Sequence, residues 1–190
     1  DVVSQTYFVT TSNLAQYQDL TVVSLVTNPE NLFDPDTGIY VTGNQYLDWK
    51  NSDAYNPDKS VWDTDNLTNY FSKGKEWERE AALTVFQDGK AVVDQNIGIR
   101  IKGASSRNSA QKNFNLYARS TYGASKISYP LIPDNYAADG TLIDQYDSVS
   151  LRAVSEEGRL RDGFSQKLLT DRTNLTKQDM QSCVVFLNGE

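Results

Sequence analysis

The feature that most constrains the fold of this chain is a strict alternation of apolar and polar positions between residues 97 and 102. Three isoleucines, Ile97, Ile99 and Ile101, alternate there with a glycine, an arginine and a lysine. Successive side chains of a β-strand point to opposite faces, so the pattern predicts a strand with one buried and one solvated face. The rest of the chain must then supply a sheet and apolar residues that cover it.

Other segments predict further strands and one helix. Runs of β-branched and aromatic residues predict strands at 20–26, 81–86, 91–93, 114–117, 149–151 and 183–187, with Asp88-Gly89 as a hairpin turn. Leu160, Phe164 and Leu168 recur at helical spacing and predict a helix over roughly 158–172. These elements predict an α+β fold with a mainly antiparallel sheet and one main helix.

Two polar segments interrupt this pattern. Residues 28–33 predict a short helical turn capped by Asn28, and residues 34–38 predict a tight turn. The aspartates Asp34 and Asp36 could instead bind calcium, but a lone D-x-D-x-G spacing favours the turn.

Residues 43–75 are polar and without sustained periodicity, which predicts a long loop. The loop contains four aromatic residues, Trp49, Tyr55, Trp62 and Tyr70. They either hold the loop against the core or form a surface that stacks on sugar rings.

Composition excludes several classes of function. The formal charge of −7 argues against a general nucleic-acid-binding protein, which needs a broad positive surface. No stretch approaches the roughly 20 apolar residues of a membrane-spanning helix. Histidine is absent, which excludes histidine-based catalysis and histidine-ligated metal in this chain. The single cysteine, Cys183, lies in an apolar run and is predicted to be a buried strand residue.

One segment of this acidic chain contains no acidic residue. Between positions 95 and 133 there is no Asp or Glu, whereas six basic residues occur, Arg100, Lys102, Arg107, Lys112, Arg119 and Lys126. Residues 100–107 join two predicted strands through a turn of small residues, where backbone N–H groups can approach phosphate oxygens. A strand, such a turn and a strand that carries a lysine is also how kinase N-lobes hold a nucleotide. The alternative is a solvated basic edge hairpin that resists aggregation.

Several short motifs follow one another in a recognisable order. They are Trp77-Glu78-Arg79, residues 98–103, Ser105-Ser106-Arg107, residues 111–114, Tyr122-Gly123, residues 127–130, residues 160–164 and residues 183–190. With these motifs the chain resembles the CotH family of spore-coat-type atypical kinases from about Leu20 to Glu190. The resemblance implies an atypical protein-kinase-like fold and phosphate transfer from ATP, with Mg, to serine on other proteins.

The resemblance also implies roles for individual residues. Ser105, Ser106 and Arg107 would line the phosphate loop, Lys112 would contact the nucleotide phosphates, and Arg100 belongs to the same basic segment. Asp162 would be an ion-pair partner on the helix that replaces the kinase αC helix. Residues 153–157 depart from the Asn/Gly/Asp-rich turn of the family. The catalytic and magnesium-binding aspartates of the family lie beyond Asn188-Gly189-Glu190, so this piece is expected to bind nucleotide without turnover.

The ends of the chain predict a fragment of a larger exported protein. Residues 2–9 resemble the last strand of a preceding small β module, and Asn188-Gly189 is a strong hairpin-turn signal. The expected organisation is a linker or module end at 1–12 and the N-terminal part of a CotH-like domain at 13–190.

Relatives of this kind imply an extracellular bacterial protein that acts on spore-coat or cellulosomal proteins. Two alternatives remain open at this point. One is a non-catalytic cellulosomal module that contacts polysaccharide through Trp49 and Trp62, and the other is a structural or docking domain.

Overall fold

A six-stranded sheet forms the centre of the molecule. The computed structural model describes residues 17, 19–59, 67–153, 161–170 and 178–190. Its strands are β1 (Thr21–Val26), β2 (Arg79–Gln87), β3 (Lys90–Lys102), β4 (Asn113–Tyr117), β5 (Ile127–Ser128), β6 (Gln145–Tyr146), β7 (Ser148–Leu151) and β8 (Cys183–Leu187). Its helices are α1 (Pro29–Phe33), α2 (Asn44–Lys50) and α3 (Arg161–Thr170), with 3-10 turns at Asn69–Phe71, Lys75–Trp77 and Ser105–Asn108.

The strands of the sheet lie in the order β7-β4-β3-β2-β1-β8, and the sheet is antiparallel except at one edge. Strand β8 pairs in parallel with β1, whereas the other neighbours in the six-stranded sheet run antiparallel. Strands β5 and β6 form a separate two-stranded ribbon. The prediction of an α+β fold with a mainly antiparallel sheet is therefore confirmed.

Strand β3 is the longest element and unites two segments that the sequence suggested separately. It continues from the β2–β3 hairpin through the alternating isoleucines without a break. Asp88 and Gly89 form the hairpin turn with φ values of 50° and 72°, the positive values that two-residue turns of the primed type require. The predicted hairpin and the predicted half-buried strand are both confirmed.

One face of the sheet carries the core. Register pairs Ile97 with Ala81, Ile99 with Leu116 and Ile101 with Phe114, so apolar side chains continue across three neighbouring strands. Leu32, Ile39 and Ile127 come from the connections and are also fully or almost fully buried against this core. The opposite face is polar, because the same register places Arg100 beside Asn115 and Asn115 beside Ser150.

The two local predictions around residues 28–38 are confirmed. The Asn28 side chain caps α1 by accepting from the Glu30 backbone N–H at 3.1 Å. In the following turn, Asp34 Oδ1 accepts from the backbone N–H groups of Asp36 and Thr37 at 2.9 and 2.8 Å. Hydrogen bonds from Thr37 and Asp36 lower the pKa of the Asp34 carboxyl.

The prediction of a long loop at 43–75 is wrong for its first part. Helix α2 begins after Gly43, whose φ is 89° and whose missing Cβ leaves room for the Asn69 side chain. No residue of α2 is buried, so the helix produces no apolar periodicity in the sequence. Of the four aromatic residues in this segment, Tyr70 is buried, and Trp62 lies outside the described residues.

The predicted helix at 158–172 is confirmed over its described part as α3. Its apolar stripe is exposed, with Phe164 at 64% and Leu168 at 54% relative exposure, and Leu160 lies outside the described residues. Gly163 packs closely on Met180, because a Cβ at this position would lie 2.2 Å from the methionine sulphur.

The last strand and its turn lie where the sequence predicts them. Cys183 lies in β8 but is half-buried and not fully buried as predicted, and its partial burial raises the pKa of its thiol. Asn188 and Gly189 have φ values of 53° and 90°, and Leu187 and Glu190 exchange backbone hydrogen bonds across them. The hairpin-turn prediction is confirmed. The predictions for residues 1–12 lie outside the described residues.

Candidate anion-binding cleft

A cleft opens where the polar face of the sheet meets the segment before β2. Its walls are Ser72, Lys73 and Gly74 on one side, Arg107 from the turn after β3, and Arg100, Ile101, Asn115 and Tyr117 from β3 and β4. The cleft has a volume of about 200 Å³ and is partly open to solvent. Three of the eight described residues that line the cleft are cationic, and none of these eight is acidic, so their side chains favour an anion.

Arg107 is fixed by the backbone around it. Its Nε donates to the Gly103 carbonyl at 2.7 Å, and its Nη1 donates to the Tyr70 and Ser72 carbonyls, both at 3.0 Å. The residue is buried, and it ties the turn after β3 to the segment that forms the opposite wall. Burial lowers the pKa of Arg107, and the nearby positive charge of Arg100 lowers it further.

Arg100 is held differently. Its Nε lies 3.4 Å from Glu78 Oε2 and has no hydrogen-bond partner among the described residues. Its guanidinium lies over the ring of Tyr117, with the central carbon 4.2 Å from the ring centroid. This position combines a cation–π contact with a weak ion pair, so the side chain is oriented without strong hydrogen bonds.

Glu78 is a buried carboxylate that serves two arginines. Its side chain has no exposed surface, and Arg119 donates to both oxygens, Nε to Oε1 at 2.7 Å and Nη2 to Oε2 at 3.0 Å. Burial raises the pKa of Glu78, but hydrogen bonds from Arg119 and Tyr122 and the charges of Arg119 and Arg100 outweigh it, so the pKa is lowered. Glu78 is therefore ionised at neutral pH.

A glycine makes this arrangement possible. A Cβ at Gly98 would lie 2.5 Å from Glu78 Oε1 and 2.7 Å from the ring of Tyr122. Gly98 is one of the alternating residues that face away from the core, so the glycine leaves space for the carboxylate on the polar face. The sequence did not predict Glu78 as a site residue. The signal that could have pointed to it is the basic segment 95–133, which contains no acidic residue of its own to pair with its six cations.

Lys112 is buried outside the cleft. Its Nζ donates to the backbone carbonyls of Arg107 at 2.8 Å and Ser109 at 3.1 Å, and it lies 4.0 Å from the Tyr70 ring centroid. Burial lowers its pKa, and no carboxylate is within 4 Å in the described part of the chain. In this arrangement Lys112 stabilises the turn after β3, and its predicted contact with phosphates stays a prediction.

The remaining predicted residues are not among those that line the cleft. Ser105 is exposed in the 3-10 turn, and the Ser106 hydroxyl accepts from the Asn113 amide at 3.0 Å. Asp162 lies on α3, where it forms an ion pair with Arg152. Of the six predicted site residues, the structure brings only Arg100 and Arg107 into the cleft.

The described residues contain no group of three or more side chains arranged to hold a metal ion. They also contain no helix that is long and apolar enough to cross a membrane. Comparison with family models, curated proteins and solved structures finds no match to this chain. The resemblance to the CotH family therefore stays a prediction, and function has to be argued from the cleft.

Proposed function

We propose that this chain binds the phosphate groups of ATP–Mg in the cleft and is the N-terminal part of a secreted CotH-type protein serine kinase. The observation that carries the proposal is that Arg100 and Arg107 line one cleft, and that no carboxylate is among the described residues that line it. Guanidinium groups bind phosphate through paired, charge-assisted hydrogen bonds.

The cleft residues suit the phosphates and not the metal. Magnesium prefers carboxylate and water oxygens, whereas the lining carries cations and neutral donors. The ion would arrive bound to the nucleotide phosphates, where it neutralises charge during transfer. Phosphate transfer to serine on spore-coat or cellulosomal proteins, outside the cell, is proposed for the whole protein and not for these residues alone.

Calorimetric titration with ATP–Mg, and with adenosine as a ligand without phosphates, tests the proposal. We expect ATP–Mg to bind, adenosine to bind far more weakly, and the ATP affinity to fall as salt is raised. Arg107→Gln should weaken ATP binding at least tenfold, since each charge-assisted hydrogen bond contributes about 1.5–3 kcal/mol. Lys90→Gln, in the exposed hairpin turn, is the matched loss of one positive charge and should change little.

Two results would contradict the proposal. The first is the absence of any ATP–Mg binding by the folded chain at millimolar nucleotide. The second is equal affinity for ATP–Mg and adenosine, because that would show that the phosphates contribute nothing.

A second candidate function rests on an aromatic cluster at α2. The Trp49 ring lies 5.6 Å from the Tyr46 ring and 5.1 Å from the Tyr55 ring, and no residue of the helix is buried. Aromatic rings that do not contribute to a core are suited to stack on sugars. This observation favours a polysaccharide-binding module as the alternative.

Soluble glucans separate the two candidates. If the cluster binds sugar, Trp49→Ala should abolish glucan binding and leave ATP binding unchanged, whereas Tyr136→Ala, an exposed tyrosine elsewhere, should affect neither. Absence of binding in both titrations would favour a structural or docking role.

A further inference from the structure

We propose that Glu78 is a positioning residue that orients Arg100 in the cleft, so that Arg100 and Arg107 together bind one phosphate group or phosphate chain. The proposal deepens the proposed function and depends on it for the identity of the natural ligand. The two-arginine site itself can be tested without a nucleotide.

The two guanidinium groups are close enough to repel each other. The positive charge of Arg100 is one of the causes that lower the pKa of Arg107, and both residues line the same cleft. Lys73 adds a third positive charge to the lining, which contains no acidic residue. An anion bound between the two arginines would relieve this repulsion, and a phosphate with two or more charges would do so better than a carboxylate.

Both arginines keep donors for such an anion. The hydrogen bonds that fix Arg107 come from Nε and Nη1, so its Nη2 makes none to the described residues. Arg100 approaches Glu78 through Nε alone, and its Nη groups make no hydrogen bond to the part of the chain that the structure describes. Arg107 therefore keeps Nη2, and Arg100 keeps both Nη groups, as donors without a partner among the described residues.

Glu78 is itself fixed before it acts on Arg100. Arg119 holds both carboxylate oxygens in a two-pronged ion pair, and Gly98 gives the carboxylate its space on the sheet. Oε2, which Arg119 Nη2 contacts at 3.0 Å, is also the oxygen nearest to Arg100 Nε. The ring of Tyr117 supports the guanidinium of Arg100 from the side. Glu78 thus gives Arg100 a fixed negative neighbour 3.4 Å from its Nε, although Glu78 is not among the residues that line the cleft.

The effect of Glu78→Gln on anion binding separates positioning from simple electrostatics. The substitution removes a negative charge near the cleft, so electrostatics alone predicts tighter anion binding. Positioning predicts the opposite, because Arg100 loses its ion-pair partner and the preorganisation that it provides. We expect Glu78→Gln to weaken the binding of pyrophosphate about three- to tenfold, and Arg100→Lys to weaken it about tenfold or more, since lysine lacks the planar fork.

The probe is inorganic pyrophosphate, titrated into the whole chain by calorimetry. Asp147→Asn removes an exposed carboxylate whose partner is Lys126 and is the matched control, expected to leave the affinity unchanged or slightly higher. Tighter or equal pyrophosphate binding by Glu78→Gln would overturn the positioning role. Unchanged binding by Arg100→Lys would overturn the two-arginine site.

A second measurement needs no substitution, in case Glu78→Gln does not fold. Nitrogen NMR of the arginine side chains in the wild-type chain should show the Nη groups of Arg100 and Arg107 becoming protected when pyrophosphate is added. If pyrophosphate binds and the signals of these two side chains do not change, the two-arginine site is wrong. If pyrophosphate binds but ATP–Mg does not, the proposed function is wrong and the two-arginine site stands. If ATP–Mg binds and Arg100→Lys does not change its affinity, the two-arginine site is wrong and the proposed function stands.

Discussion

Lys112 is the residue whose environment differs most from the role that the sequence suggests. It is buried, and its ammonium donates to two carbonyl oxygens above the ring of Tyr70. A lysine can bind a ligand or stabilise a turn. Lys112 stabilises a turn here because its ammonium donates to the carbonyls of Arg107 and Ser109. A lysine in a predicted phosphate-binding segment is therefore weak evidence for a ligand contact unless its hydrogen-bond partners are known.

Lys112→Met separates these roles, because it keeps the apolar stem and removes the ammonium. We expect the free energy of unfolding to fall by about 1–3 kcal/mol, because the buried Arg107 carbonyl and the partly buried Ser109 carbonyl lose their donor. Urea denaturation measures this change, with Lys90→Met as a surface control that should alter stability by less than about 0.5 kcal/mol. Unchanged stability combined with lost ATP binding would instead support a direct phosphate contact.

Glu78 predicts a dependence of stability on pH. Its pKa in the folded chain lies below its ordinary value, so the stability that it contributes is complete above that ordinary value and is lost as pH falls through the folded pKa. We expect Glu78→Gln to lower the free energy of unfolding at neutral pH. We also expect the variant to lose less stability than the wild type as the pH falls below the ordinary carboxyl pKa of about 4.5.

Urea unfolding of the wild type and Glu78→Gln between pH 7 and pH 3 tests this expectation. Asp34→Asn is a useful comparison, since the pKa of Asp34 is also lowered, but by local hydrogen bonds at the surface. Parallel profiles for the wild type and Glu78→Gln would show that the buried carboxylate contributes no pH dependence.

At the scale of elements, the sequence predicts those structures whose causes are local. The isoleucine alternation of β3, the Asn28 cap and the Asp88-Gly89 turn each depend on a few neighbouring residues. Helix α2 could not be predicted from periodicity, because it buries no residue. The parallel pairing of β8 with β1 joins residues more than 150 positions apart, and no local pattern specifies it.

The candidate site was predicted in part for the same reason. Exclusion of acidic residues between 95 and 133 identified Arg100 and Arg107 correctly as neighbours in one basic region. The wall formed by residues 72–74 and the contact of Glu78 with Arg100 were missed, because they depend on the hydrogen bonds of Arg107 and on the pairing of β2 with β3.

The β2–β3 turn offers a clean test of backbone strain. Gly89 has a φ of 72°, and a Cβ there would contact nothing within 4 Å, so Gly89→Ala changes conformational energy without a clash. We expect a loss of about 1 kcal/mol in unfolding free energy. Asp88→Asn should be nearly neutral, because asparagine tolerates the positive φ at that position. Equal stability of Gly89→Ala and wild type in urea would show that the turn relaxes.

At the scale of the whole molecule, charge is distributed unevenly. The chain carries a formal charge of −7, yet the cleft is lined by three cations and no acid. A negative net charge disfavours binding of a polyanion such as nucleic acid, whereas cationic side chains in one cleft still favour a small phosphate compound. This contrast supports a nucleotide over an extended nucleic acid as the ligand.

The most direct test of the central claim is the crystal structure of this chain with ATP–Mg bound. We expect phosphate oxygens to lie about 2.7–2.9 Å from guanidinium nitrogens of both Arg100 and Arg107, which is the distance of charge-assisted hydrogen bonds. We also expect Lys112 to remain bound to the carbonyls of Arg107 and Ser109. Phosphates that bind away from both arginines, or that draw Lys112 out of its buried position, would contradict the account.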